Sequence, residues 1–256
     1  MSFGLRTHLD FLTETAFLAG RLTLAHFLSD LQPDFKSDNT PVTIADRQAE
    51  QFIRQRIESQ YPNTSIVGEE FGSSQSSGSS MRWIIDPIDG TKAFMRGVPL
   101  YAVLIGLEIE GEVKAGAAYF PGLDEMIAAA DGEGCWWNGR RAHVSRITDI
   151  HKAYALTTDW GGFAKHNRIR EWERLSKAVF YRGGWSDSYA FNLVATGRAE
   201  IAIEPQMAVW DCGPFPPILR EAGGYFGDWK GNPTIYGNEA LACSQDMLSV
   251  VLPLLA

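Results

Sequence analysis

A chain of 256 residues with 45% apolar content can bury one large α/β core or two modest cores that share an interface, so a globular protein is expected. Its 23 basic and 31 acidic residues leave a net charge of −8, which argues against a nucleic-acid backbone or an anionic membrane as the main partner. Cys135, Cys212 and Cys243 are far apart and form no C-x-x-C pair, which disfavours a disulfide framework or structural zinc site and points to a reducing, cytoplasmic setting.

The N-terminus lacks a basic patch leading into a long apolar core, and no stretch approaches about 18 uninterrupted apolar residues, so a soluble chain without a targeting segment is expected. Apolar residues recur at helical spacing from Leu5 to Leu31, through Leu9, Leu12, Ala16, Ala19, Leu22, Ala25 and Phe27. This predicts one long amphipathic helix ended by Pro33. A polar loop at 36–41 precedes a second predicted helix, Val42 to Ser59, in which Thr43 and Asp46 have capping-box spacing. Pro62 and Asn63 turn the chain, and Ile66-Val67 reads as a short strand running into Gly68-Glu69-Glu70-Phe71-Gly72.

Residues 73–80, rich in serine, read as a mobile surface loop. Strands are predicted near 83–86, 101–109, 112–119, 125–130 and 135–137, with a hairpin turn at Glu110-Gly111. This half reads as antiparallel. Beyond Arg146 the pattern alternates: strand 153–157, helix 168–178, strand 180–182, helix 187–196, strand 199–203, and a final helix from near Asp211 to the stop signal Gly223-Gly224. Residues 1–146 are therefore expected to form an α+β half and residues 147–256 an α/β half of one structural unit. The five histidines lack the short spacing of zinc motifs and are assigned no catalysis.

The run Trp83-Ile84-Ile85-Asp86-Pro87-Ile88-Asp89-Gly90-Thr91 sets two carboxylates just after an apolar strand. Pro87 holds a turn through which Asp86 and Asp89 can converge on one hard cation, and Gly90 lets backbone approach a ligand closely. Gly90 and Thr91 are placed to open a helix whose free amides suit phosphate oxygens. Taken alone, such a run is equally an Asx turn at a strand end.

Gly68-Glu69-Glu70, Asp86 to Thr91, and Trp210-Asp211 leading to Glu221-Ala222-Gly223-Gly224 resemble, in order and spacing, the signatures of the lithium-sensitive, magnesium-dependent phosphatases typified by inositol monophosphatase. Pro41-Val42-Thr43-Ile44-Ala45-Asp46 is similar to that family's N-terminal helix signature, so the resemblance spans nearly the whole chain. It implies a five-layered αβαβα sandwich of the inositol monophosphatase type, an active site between the halves, lithium inhibition and a homodimer. It also implies two to three Mg2+ ions per site, with Mn2+ able to substitute. Glu69, Asp86 and the carbonyl of Ile88 would hold a first ion, Asp86, Asp89 and Asp211 a second, and a weaker third would lie near Glu69. Thr91 and Asp46 would be catalytic, orienting and helping to deprotonate the attacking water, with Glu69 assisting, while the amides of Gly90 and Thr91 grip the phosphoryl group. The family counterpart of Lys36 lies in a loop near the metal site.

Within the family, residues 89–101, Trp185-Ser186-Asp187-Ser188-Tyr189 and Asp228-Trp229-Lys230-Gly231 resemble the histidinol-phosphatase branch. That resemblance implies hydrolysis of L-histidinol phosphate, a small-molecule phosphate ester. Asp187, where inositol monophosphatases commonly carry a small residue, would pair with the ammonium of an amino alcohol. Glu204 would accept a hydrogen bond from the imidazole or amine, and Trp185 is a further substrate contact. Ser186 stands where the branch commonly has glycine, and Asn192 and Arg198 are candidate substrate neighbours. The competing readings are an inositol-phosphate or broad sugar-phosphate phosphatase, an adenosine bisphosphate nucleotidase, and a non-enzymatic scaffold that binds a phosphorylated ligand.

Overall fold

The computed structural model describes residues 4–29, 33–35, 41–184 and 187–256, so the expectations attached to Lys36, Trp185 and Ser186 lie outside the described residues. Helix α1 (Leu5–Leu24) ends short of the expected Leu31. Ala25 N–H bonds back to the Leu22 carbonyl, and Leu28 takes a φ of 62°, a left-handed conformation through which no helix continues. The break brings Phe27 against Phe94 and Tyr101, with ring centroids 5.7 and 5.1 Å apart. Tertiary packing here outweighs the apolar period.

Strands β1 (Asp34–Phe35) and β2 (Pro41–Val42) form an antiparallel ribbon flanking the expected polar loop. Helix α2 (Ile44–Gln60) starts with the predicted capping box: Asp46 accepts from the N–H of Thr43. Then come β3 (Ser65–Gly68), β4 (Gly72–Ser74), β5 (Met81–Asp89) and α3 (Thr91–Met95). β4 takes the first residues of the predicted mobile loop as an edge strand, and β5 runs beyond the predicted Asp86. β6 (Ala102–Ile109), β7 (Glu112–Phe120), β8 (Glu125–Ala130), β9 (Gly134–Trp137) and β10 (Arg140–Arg141) complete an eight-stranded sheet in the order β10-β9-β8-β7-β6-β5-β3-β4. Only β3 and β5 pair in parallel among its described strands.

The second sheet draws on β11 (Tyr154–Leu156), β12 (Tyr181–Gly183), β13 (Ile201–Glu204), β14 (Gly224–Gly227) and β15 (Ala240–Ser244), ordered β12-β11-β13-β15-β14. Between and after them lie α4 (Trp160–Lys165), α5 (Ile169–Ala178), α6 (Tyr189–Ala195), α7 (Val209–Cys212), α8 (Phe215–Glu221) and α9 (Gln245–Leu255). Three differences from the sequence reading stand out. Helix α4 contains Gly161-Gly162, which hides it from propensity. The single helix expected from Asp211 is split into α7 and α8 at Gly213-Pro214. The chain also does not close at Gly223-Gly224: β15 is a short buried run of mostly small residues with little β signal, and α9 carries Pro253 near its end.

α1 and α2 cover one face of the large sheet, α6, α7 and α8 lie between the sheets, and α5 and α9 cover the far face of the small sheet. This is the five-layered αβαβα sandwich. Three apolar cores hold the layers together: Leu12, Ile53 and Trp83 on the outer side of the large sheet, Phe191, Phe215 and Phe226 around the central helices between the sheets, and Phe163, Leu175 and Met247 on the outer side of the small sheet.

One crossing bears directly on the site. A Cβ on Gly106 of β6 would lie 2.4 Å from the Gly213 carbonyl oxygen, and one on Gly116 of β7 would lie 2.3 Å from that of Pro214. The two glycines let the α7–α8 junction lie flat on the large sheet, backbone against backbone.

Candidate active site

In a regular strand, residues three apart point to opposite faces. The register of β5 against β6 shifts between Asp86, opposite Leu104, and Asp89, opposite Ala102. That extra residue is a bulge, and it turns both carboxylates toward the same side. Within it, Asp86 Oδ1 accepts from the N–H of Ile88 at 3.0 Å. The Asx turn is therefore real, and it serves to aim the carboxylates. Gly90 follows with a φ of 80° as the N-cap of α3. A Cβ there would lie 3.0 Å from Asp187 Oδ2 and 3.1 Å from the Leu100 carbonyl, so both space and conformation call for glycine.

Glu69 reaches this point through β3, whose parallel pairing sets Gly68 beside Ile85 and lets the Glu69 N–H bond to the Ile85 carbonyl at 3.2 Å. Asp211 arrives from the other half. It sits in the first turn of α7, where its Oδ2 accepts from the N–H of Ala208 at 2.8 Å. Carboxylate oxygens of Asp86, Asp89 and Asp211 lie within 4.8 Å of one another.

Burial raises all three carboxyls: Asp86 well above its ordinary value, Asp89 to about 6 and Asp211 to about 7, with repulsion from neighbouring carboxylates, Glu69 included, adding to each. No lysine or arginine is among the main causes acting on these three carboxyls. Such a set is costly unless a cation neutralises it, and its hard oxygen donors suit a divalent metal such as Mg2+. The donor chemistry therefore fits a metal.

Behind the cluster, Asp46 is fully buried, and its Oδ2 accepts from Thr43 N–H at 2.8 Å and from the Thr43 hydroxyl at 2.6 Å. Its Oδ1 lies 3.4 Å from the Thr91 hydroxyl, which is also 3.1 Å from the Ile88 carbonyl. Burial is the main cause that raises the Asp46 carboxyl. Thr91 thus faces the cleft from a fixed carboxylate and a fixed carbonyl.

The cleft encloses about 400 Å3 and is also lined by Asp187 and Glu204. Asp187 adopts a φ of 41°, uncommon for a residue with a side chain. The next residue, Ser188, donates its N–H to Asp89 Oδ2 at 2.9 Å and so ties the two halves together. Burial, then the charges of Asp89 and Glu204, push the Asp187 carboxyl well up, while Lys92 opposes them. Glu204 is pushed to about 8, chiefly by burial, and its Oε1 accepts from the N–H and hydroxyl of Thr158 at 2.6 and 2.9 Å.

Several lining residues have no role in the sequence reading: Thr158, Lys92, Lys165 and His166. Lys92 could have been noticed as the neighbour of Thr91. The others come from the loop after β11 and from the end of α4, a segment whose place on the cleft depends on the second sheet. One expectation is corrected. Asn192 and Arg198 do not line the cleft; with Tyr189 they surround the buried carboxylate of Glu125. Glu221, read as part of a signature, accepts from the N–H groups of Gly132 and Gly134 at 2.9 and 2.8 Å and clamps a turn of the large sheet.

Comparison with known proteins places this geometry among phosphatases. The sequence model of the inositol monophosphatase family matches residues 5–255. A histidinol-phosphatase of Chlorobaculum parvum is 41% identical over 92% of this chain and 91% of its own length. An inositol-1-monophosphatase of Mesorhizobium japonicum is 30% identical over 95% and 94%, respectively. The crystal structure of the extragenic suppressor protein suhB from Bartonella henselae superimposes with a TM-score of 0.90 at 27% identity, covering 97% of this chain and 98% of that one.

Proposed function

The chain belongs to the inositol monophosphatase family, and from that premise we propose that this phosphatase is a Mg2+-dependent monoester hydrolase acting on L-histidinol phosphate. One observation carries the choice of ester: Asp187 and Glu204 share the cleft with the carboxylate cluster. A cationic amino alcohol would find two acids there, whereas a neutral polyol brings no charge to offset their burial. The 41% identity to a protein named histidinol-phosphatase supports the same reading.

Glu69, Asp86 and the Ile88 carbonyl would hold one Mg2+, and Asp86, Asp89 and Asp211 a second. When bound, the ions supply positive charge to the phosphoryl oxygens and to the attacking and leaving oxygens of an in-line displacement. The chain's own groups do the rest. The Thr91 hydroxyl, set between Asp46 Oδ1 and the Ile88 carbonyl, orients the attacking water, and Asp46 receives the proton relayed through it. The amides of Gly90 and Thr91 at the start of α3 hold the phosphoryl group, and Asp187 and Glu204 orient the leaving alcohol by its amine and imidazole.

Steady-state competition tests the substrate. We expect kcat/KM for L-histidinol phosphate at least about tenfold above that for inositol 1-phosphate, about 1.4 kcal/mol of transition-state discrimination. Asp187→Asn should shrink that ratio; an equal or reversed ratio in the parent protein refutes the histidinol reading. Asp89→Asn should abolish metal-dependent phosphate release with the fold intact, and unchanged turnover would remove the metal assignment.

A further inference from the structure

Helix α2 carries three polar residues at one-turn spacing, Asp46, Glu50 and Arg54, along the face that meets the turn after β3. Asp46 holds Thr91 as described. Glu50 lies one turn further on, is fully buried, and contributes to no step assigned so far.

Its carboxylate is saturated by the turn that contains Glu69. Oε2 accepts from the Glu70 N–H at 2.7 Å, and Oε1 accepts from the Phe71 N–H at 3.2 Å and from Arg54 Nε at 2.7 Å. Arg54 in turn donates to the Gly72 carbonyl, so the turn is gripped at an acceptor as well as at two donors. Gly68 closes the fit from the other side: a Cβ there would lie 2.1 Å from Glu50 Oε1 and 2.5 Å from its carboxyl carbon. The carboxylate therefore occupies the space a side chain at 68 would need. A carboxylate taken fully out of water is costly unless several donors satisfy it, and here all of those donors are the turn itself and the arginine that braces it.

We propose that Glu50 is a positioning residue for the metal site: it sets the backbone of residues 68–72 and so fixes where Glu69 stands relative to Asp86. The β3–β5 pairing holds Glu69 only at its N–H, since the last paired residues are Gly68 and Ile85. Beyond that point residues 69–71 form a hairpin turn, closed where Gly68 pairs with Gly72 of β4, and Glu50 braces that turn from α2. Asp46 and Glu50 together make α2 a rigid ruler, with the water-orienting threonine at one mark and the first ion's carboxylate at the next. The inference rests on the proposal that Glu69 is a metal ligand.

The test is direct metal binding to metal-free protein, by calorimetric titration with Mg2+ and by electron paramagnetic resonance with Mn2+, beside thermal unfolding and phosphate release. In Glu50→Gln the side-chain amide presents a donor either to Glu70 N–H or to both Phe71 N–H and Arg54 Nε. We expect metal affinity to fall about tenfold or more, with kcat largely recovered at saturating metal and substrate KM unchanged. Gly68→Ala perturbs the same contact from the turn side and should weaken metal binding likewise; it stands in if Glu50→Gln fails to fold. A folded Glu50→Gln, or failing that a folded Gly68→Ala, that binds Mg2+ and Mn2+ as tightly as the parent overturns the proposal, whatever its melting temperature. Glu69→Gln separates the two levels. If it weakens binding while the Glu50 and Gly68 variants do not, the positioning role alone is lost; if it too leaves binding intact, the metal-ligand reading of Glu69 has failed.

Discussion

Replacing Gly106 by alanine perturbs the site without touching any residue assigned a chemical role. The new Cβ would lie 2.4 Å from the Gly213 carbonyl oxygen and 2.6 Å from its carbon. Ordinary contact begins at about 3.4 Å, so backbone must yield by about 1 Å, since neither partner has a side chain that could rotate away. Overpacking of this kind costs about 1–3 kcal/mol, and for a chain of this size each kcal/mol lowers the melting temperature by roughly 2–4 °C. The yielding segment is the end of α7, which carries Asp211 to Asp86 and Asp89. A displacement of about 1 Å in a catalytic constellation can cost about a hundredfold in rate. Gly106→Ala should therefore lower Tm by several degrees and kcat/KM by one to two orders of magnitude, with metal affinity reduced. Gly4→Ala, whose Cβ would meet nothing within 4 Å, is the control. Differential scanning calorimetry and a phosphate-release assay decide the matter. A Gly106→Ala protein with unchanged Tm and kcat/KM would show that the junction is not the rigid support argued here.

The metal-free protein should lose stability as pH rises from about 5 to about 8. Asp89, Asp211 and Glu204 keep their protons to about 6, 7 and 8 in the fold, while unfolded carboxyls release theirs near 4, so the native state binds more protons across this window. Asp89 alone, raised from 3.8 to about 6, accounts for on the order of 1 kcal/mol of the loss above pH 5 and on the order of 3 kcal/mol counted from below pH 3.8. Millimolar Mg2+ should restore more stability at pH 8 than at pH 5, and a metal-free Tm that is flat or rising over this range contradicts the scheme. Thr158→Val removes the hydroxyl that holds Glu204 at 2.9 Å and leaves the backbone contact. It should lower kcat/KM for L-histidinol phosphate about tenfold, as expected for a lost hydrogen bond to a charged group, while sparing p-nitrophenyl phosphate. Equal losses on both esters would place Thr158 in general support of the fold.

The local chemistry of the site could be read from the chain alone. Asp86, Pro87, Asp89, Gly90 and Thr91 are consecutive or nearly so, and their turn, cap and helix start follow from short-range conformational rules. The capping box of Thr43 and Asp46 and the hairpin at Glu110-Gly111 are legible for the same reason: each is set by residues within a few positions of one another. The family signatures added the order of distant carboxylates.

Long-range choices were hidden. Periodicity reports that a face is buried, not which surface buries it. So the apolar period carries α1 on to Leu31, although the packing of Phe27 on Phe94 and Tyr101 ends it sooner. The short β15, of mostly small residues, carries little strand signal, yet it lies between β13 and β14 in the second sheet. The convergence of Asp211 on Asp86 and Asp89 depends on Gly106 and Gly116 admitting a backbone crossing, and the settings of Glu69 and Glu204 depend on Glu50 and Thr158, each far from its partner in the chain. Residue identity and spacing specified which groups could bind a metal and an ester; only the stacking of two sheets about a shared helical layer brought those groups to one cleft, because contacts between distant segments are selected by packing of whole surfaces and not by any local sequence preference.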